Sequence, residues 1–146
     1  MKSRIKWVQD VMFVAETGSG HAVVMDGAPD AGGRNLGARP MEMLLAGLGG
    51  CSAFDVVLIL KRGREAVTDC VVEIDAERAE TDPKVFTTIK MHYIITGNKL
   101  DLSKVERAIK LSTEKYCSAS AMLGAVAKIT HDFEVREVEL RGKGAS

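Results

Sequence analysis

The sequence has no excess of charge of either sign, since 20 Lys plus Arg are matched by 20 Asp plus Glu. A basic field that would hold a nucleic-acid backbone or an anionic membrane surface is therefore absent, and neither is expected as a partner. Long apolar runs are scarce: none is expected to reach the ~18 residues of a membrane span, and the opening MKSRIKWVQD lacks an apolar signal core. A cytoplasmic location follows as an expectation. Cysteine is sparse as well, at Cys51, Cys70 and Cys117, with no Cys-x-x-Cys pair, which gives no support to a structural zinc site. His21, His92 and His131 stand singly in strand-like segments without metal-ligand spacing, so structural roles are expected and no bound metal or cofactor. Internal repeats are lacking too. At 146 residues one domain over 1–146 is the expectation.

What is present divides cleanly. Residues 1–25 alternate as a hairpin of two antiparallel strands, with Ile5, Trp7, Met12 and Val14 before the turn Thr17-Gly-Ser-Gly20 and His21 to Met25 after it. Residues 26–40 are Gly- and Pro-rich without apolar period, a loop long enough to be a lid or a binding loop. Pro40 suits the first turn of a central helix over 40–62, apolar on nearly every face and so expected to be buried all round. A strand pair occupies 69–96, divided by a turn at Glu80-Thr-Asp-Pro83. A helical region at 103–127 opens on a Ser103–Glu106 capping box, and a strand over 128–140 follows. The tail from Arg141 to Ser146 is expected to fray. This order suggests an α+β fold, helices grouped against antiparallel sheet.

Three glycines, Gly47, Gly49 and Gly50, precede Cys51 inside the central helix, at about 1 kcal/mol each relative to Ala. Close helix packing and space for a ligand beside the Cys51 sulfur both explain them. Cys117 falls where one helix ends and the next begins, so its thiol faces free N–H groups that favour thiolate. For either cysteine an inert buried role is the alternative. Cys70 shares a strand face with Val72 and Ile74 and is read as core.

Pro40-Met41-Glu42-Met43-Leu44-Leu45-Ala46, leading to Gly49-Gly50-Cys51, and then Glu114-Lys115-Tyr116-Cys117-Ser118 resemble the OsmC/Ohr family, and within it the YhfA-like branch. The likeness extends over nearly the whole chain, including Lys6-Trp7-Val8 and Gly20-His21 through Gly27. It implies an intertwined homodimer with long central helices between sheets and thiol sites at the subunit interface. It further implies reduction of a small hydroperoxide, Cys51 becoming a sulfenic acid and Cys117 resolving it to a disulfide that an external dithiol, or a protein bearing one, reduces. In the organic-hydroperoxide branch an Arg after the first hairpin turn supports the thiolate, where this chain has His21. That branch's Glu, ten residues before the first cysteine, corresponds to Met41, with Glu42 next. A neutral imidazole supplies no fixed cation, so Arg34 or Arg39 is the candidate replacement. Glu42 and Cys51 lie about 13 Å apart along the helix and half a turn round it, so Glu42 is expected to serve a thiol of a second chain. The alternative within the same family is a stress-responsive binding protein that keeps the thiols without turnover. A cysteine hydrolase has no motif in its favour.

Overall fold

The structure, a computed structural model, describes residues 1–139. The expected fraying of residues 141–146, and the last position of the 128–140 strand, lie outside the described residues. The chain divides after Ala46 into two compact units, and each is described by itself.

The first unit is a meander of β1 (Ser3–Gln9), β2 (Met12–Thr17) and β3 (Ala22–Met25), each antiparallel to the next. The expected two-stranded hairpin is thereby corrected to three strands. The turn between β1 and β2 is built on Asp10 at φ 51°, one of the few residue types that tolerates the left-handed region, with its carbonyl accepting the Trp7 indole N–H at 2.7 Å. No glycine or proline marks that turn in Gln9-Asp10-Val11-Met12, which is why it is silent in the sequence. The loop after β3 is organised by one buried carboxylate. Asp26 accepts N–H bonds from Leu36 at 3.1 Å, Gly27 at 2.7 Å and Arg34 at 3.2 Å. Led by the Leu36 bond, these outweigh burial and hold Asp26 below the usual carboxylate range. Gly33 is required here, since a Cβ would sit 2.0 Å from the Gly27 carbonyl oxygen.

Helix α1 spans Pro40–Arg62, as its sequence pattern indicates. Its burial does not follow the expectation. Within one chain only the stripe Leu48, Ser52, Val56 and Leu60 is buried, at i, i+4 spacing, while Leu44 is 47% exposed and Phe54 69% exposed. The expectation that no run approaches a membrane span is also corrected: an 18-residue stretch of α1 has mean hydropathy 2.1, long and apolar enough by length and composition to cross a membrane.

In the second unit β4 (Ala66–Arg78) and β5 (Phe86–Asn98) form a long antiparallel pair. Strand β6 (Lys128–Glu137) lies parallel to β5, so this sheet is mixed where antiparallel pairing was expected. The chain travels from β5 to β6 through helices, and such a crossover returns it to the starting end of the sheet. The inner face of β5 carries Ile89, Met91, Tyr93 and Ile95, all buried, which join Leu48, Val56 and Leu60 of α1 in the core. Val105, Ala108 and Ile109 complete it from α2 (Leu102–Leu111). Each large apolar side chain buried here contributes about 1.5–3 kcal/mol. The cap of α2 is Asp101, accepting from the Ser103 N–H at 2.9 Å, in place of the expected Ser103–Glu106 box. Asp caps at least as well as Ser, and it recruits the Ser103 hydroxyl as a second donor at 2.6 Å. A π-helical turn, Ser112–Tyr116, then leads to α3 (Ser118–Gly124).

Candidate functional site

Cys51 sits half-buried in α1, and the three preceding glycines do different things. A Cβ on Gly49 would lie 3.2 Å from the Ile74 Cδ1, so close packing against β4 accounts for it. A Cβ on Gly47 or Gly50 would meet nothing within 4 Å besides its chain neighbours and the helix's own backbone, so these two leave open ground on either side of that contact.

Cys117 is buried and forms the N-cap of α3. Its sulfur accepts the Ser120 N–H at 3.3 Å, and its own N–H donates to the Ser112 carbonyl at 2.8 Å, closing the π turn. The cap geometry is the expected one, but its electrostatic outcome is not. Burial dominates and pushes the thiol up from 9.0; Ser120 pulls it back, and Cys51 beside it raises it again, first by a side-chain hydrogen bond and then by charge. At neutral pH Cys117 is a thiol. The fold thus brings together, from α1 and the α2–α3 junction, the two cysteines that the sequence singled out. Cys70 is the strand residue expected: half-buried with Val72 and Ile74, its thiol pushed up first by burial and then by Asp69.

The supporting residues belong to the first unit and have local partners. His21 holds Ser19 Oγ through Nδ1 at 3.0 Å. Arg39 donates from Nη1 to Asn35 Oδ1 at 2.6 Å and to the Gly37 carbonyl at 3.2 Å. Glu42 Oε1 accepts the Arg39 N–H at 2.8 Å, so this carboxylate caps α1. Arg34 donates its backbone N–H to Asp26.

A buried polar cluster beneath the cysteines was missed. Ser52 Oγ lies 2.6 Å from the Tyr93 hydroxyl and 2.9 Å from Ser112 Oγ, and Ser112 Oγ donates to Asp55 Oδ2 at 3.1 Å. Burial first, with the nearby Cys117, Cys70 and Asp55 adding to it and Ser52 opposing, pushes the Tyr93 phenol up to about 12. The available signal was Tyr93 in a period-two apolar strand, because a buried phenol needs a partner.

His92, on β5, faces Asp132 and Glu134 of β6, with Nδ1 2.6 Å from Asp132 Oδ1 and Nε2 3.1 Å from Glu134 Oε1. The Asp132 bond first and the Glu134 bond second raise its pKa above 6.5. A raised histidine stabilises the fold fully below the unfolded value and loses that contribution as pH climbs through the folded one. Glu134 is held low by His92 and then Arg136, so its share is present above 4.5 and fades in acid. Unfolding midpoints of wild type and His92→Gln, measured across pH, are expected to differ most between 4.5 and 6.5 and to converge on the alkaline side. A constant difference would remove the histidine's charge as the cause. Among the described residues no group of three or more His, Cys, Asp or Glu side chains could hold a metal ion.

The family model for OsmC-like protein matches residues 32–132. The chain belongs to the OsmC-like family. Protein YhfA of Escherichia coli K12 is 47% identical to this OsmC-like chain over 138 residues, covering 92% of it and 98% of YhfA. A crystal structure of a hypothetical protein from Aquifex aeolicus VF5 superposes with TM-score 0.83 at 32% identity, covering 94% of this chain and 97% of that one. The organic hydroperoxide resistance protein OhrB of Bacillus subtilis shares the fold at TM-score 0.59 and 16% identity, covering 92% and 98% respectively.

Proposed function

We propose that this OsmC-like protein is a thiol-dependent hydroperoxide reductase that works in the cytoplasm as a homodimer, with Cys51 as the attacking thiol and Cys117 as the resolving one. The observation that carries the proposal is the meeting of these two cysteines, 66 positions apart in the sequence, closely enough that Cys51 helps to push the Cys117 thiol up. Cys51 thiolate attacks the distal peroxide oxygen. The O–O bond breaks, the alkoxide takes up a proton and leaves as alcohol, and Cys51 is left as sulfenic acid. Cys117 then attacks that sulfur, forming the disulfide, while its thiol proton and the sulfenic hydroxyl depart as water. An external dithiol reduces the disulfide by two exchanges and is itself oxidised. The half-buried Cys51, more open than Cys117, suits the first step, and the protonated Cys117 suits waiting for the second. A hydroperoxide role is named for OhrB, which has the same fold.

The test adds tert-butyl hydroperoxide to reduced protein and follows both peroxide and thiols. Peroxide consumption with loss of two free thiols per chain, Cys70 remaining reduced, is expected. Intact peroxide and intact thiols would instead favour the binding-protein alternative, and linkage through Cys70 would count against Cys117.

A further inference from the structure

The hydroxyl cluster below the thiols is continuous. Ser52, Ser112 and Tyr93 each have a single hydroxyl proton to donate and oxygen lone pairs that accept. Ser112 Oγ reaches Asp55 Oδ2 at 3.1 Å and the Ser52 carbonyl at 3.3 Å. Ser52 Oγ bonds Ser112 Oγ at 2.9 Å and the Tyr93 hydroxyl at 2.6 Å, and the Tyr93 hydroxyl also reaches the Met91 sulfur at 4.0 Å. The cluster links Tyr93, Ser52, Ser112 and Asp55 whichever oxygen donates in each hydroxyl pair. Ser52, Ser112 and Tyr93 are fully buried, so the two bonds between their hydroxyls are not readily replaced by water.

Ser112 is also the first residue of the π turn, and its carbonyl accepts the Cys117 N–H at 2.8 Å. Ser52 is the immediate neighbour of Cys51 in α1. The Cys117 backbone is thus tied to the Cys51-Ser52 dipeptide by two hydrogen bonds in series, both passing through Ser112. Single-turn π bulges frequently occur at functional sites, because the extra residue re-aims the next side chains along the helix. In this protein the re-aimed group is the Cys117 thiol.

We infer that the Ser52–Ser112 hydrogen bond is a clamp that sets the Cys117 turn on α1, making Ser52 and Ser112 positioning residues for closure of the Cys51–Cys117 bond. The inference rests on the proposed pairing of these thiols but needs no peroxide. Holding two thiols in register raises their effective concentration toward each other, and that quantity is read directly by exchange with dithiothreitol. In the exchange the protein's two thiols are oxidised to the disulfide while oxidised dithiothreitol is reduced to its dithiol, so atoms and electrons balance.

The experiment equilibrates full-length wild type, Ser112→Ala, Ser52→Ala and Tyr93→Phe in dithiothreitol redox buffers, maps the thiols, and records the unfolding midpoint of each reduced protein. Ser112→Ala and Ser52→Ala are expected to lower the equilibrium constant for disulfide formation about fivefold or more, the typical worth of one buried hydrogen bond. Tyr93→Phe cuts the far end of the cluster; it should lower the unfolding midpoint and leave that constant within about twofold. A merely structural cluster would move all three together, and that outcome would overturn the clamp, as would unchanged constants in both serine variants. If Ser112→Ala does not fold, Ser52→Ala breaks the same bond from the helix side and decides alone. Wild type that forms no Cys51–Cys117 disulfide at any poise would sink the pairing and the clamp with it, whereas disulfide formation that is indifferent to the serines would sink the clamp only.

Discussion

Cys51→Ser is expected to abolish hydroperoxide reduction, while Cys117→Ser should still consume about one peroxide per chain before stopping. The asymmetry arises from the environments of the two sulfurs. Cys117 is buried and its thiol is pushed up by that burial and by Cys51, so at neutral pH it is protonated and a poor first nucleophile. Cys51 is the more open of the two. Without Cys51 no group remains to accept the peroxide oxygen, and a serine hydroxyl at its ordinary acidity does not replace a thiolate. Without Cys117 the sulfenic acid forms but has no neighbour to condense with, so it persists or climbs to sulfinic acid as peroxide is added. A sulfenic-acid trap coupled to mass mapping distinguishes the cases. The label should appear on Cys51 in Cys117→Ser and be sparse in wild type. Equal loss of the first turnover in both variants would mean that the roles are wrongly assigned, and a label on Cys117 would reverse them.

Much of this arrangement is legible in the sequence because it depends on local rules. The start of α1 comes from Pro40, the inner face of Cys70 from a period of two, and the placement of Cys117 from a break between two helical patterns. The illegible part depends on partners distant in the chain. Whether β6 runs parallel to β5 is decided by where the helical crossover delivers it, which no residue in Lys128–Glu137 announces. The bond of Ser52 to Ser112 joins positions 60 apart, and neither serine is unusual in its own segment. Asp101 shows a subtler case: it is a known cap former, but it lies beside Ser103, another candidate, and the geometry of the helix start chooses between them. The all-round burial expected of α1 is different again, since a single chain covers one stripe and leaves the rest of an apolar helix uncovered.

That uncovered surface is the ground for the second large effect, a homodimer that one substitution should separate. In the second unit Phe54 is 69% exposed, Met122 75% and Val126 66%, and Gly47 and Gly50 of α1 have open space where side chains would be. Isolated exposed apolar residues need no explanation, but a 23-residue helix of this hydropathy with only one side covered does. A second copy supplies the missing cover most economically, because in a two-fold pair each chain offers the same surface it needs to bury. Wild type is therefore expected to sediment at twice the 15.8 kDa chain mass. Phe54→Asp places a charge in that surface twice per dimer. Losing about 1.5–3 kcal/mol of apolar burial at each copy, before any cost of desolvating the carboxylate, weakens association by roughly two decades or more in Kd. Sedimentation across a dilution series should show Phe54→Asp largely as monomer at concentrations where wild type is dimer. Glu106→Gln, an exposed change on α2, serves as control and should sediment as wild type does. A wild-type chain that stays monomeric at every concentration while turning over peroxide would remove the dimer from the proposal, and a Phe54→Asp chain that remains dimeric would move the interface away from α1.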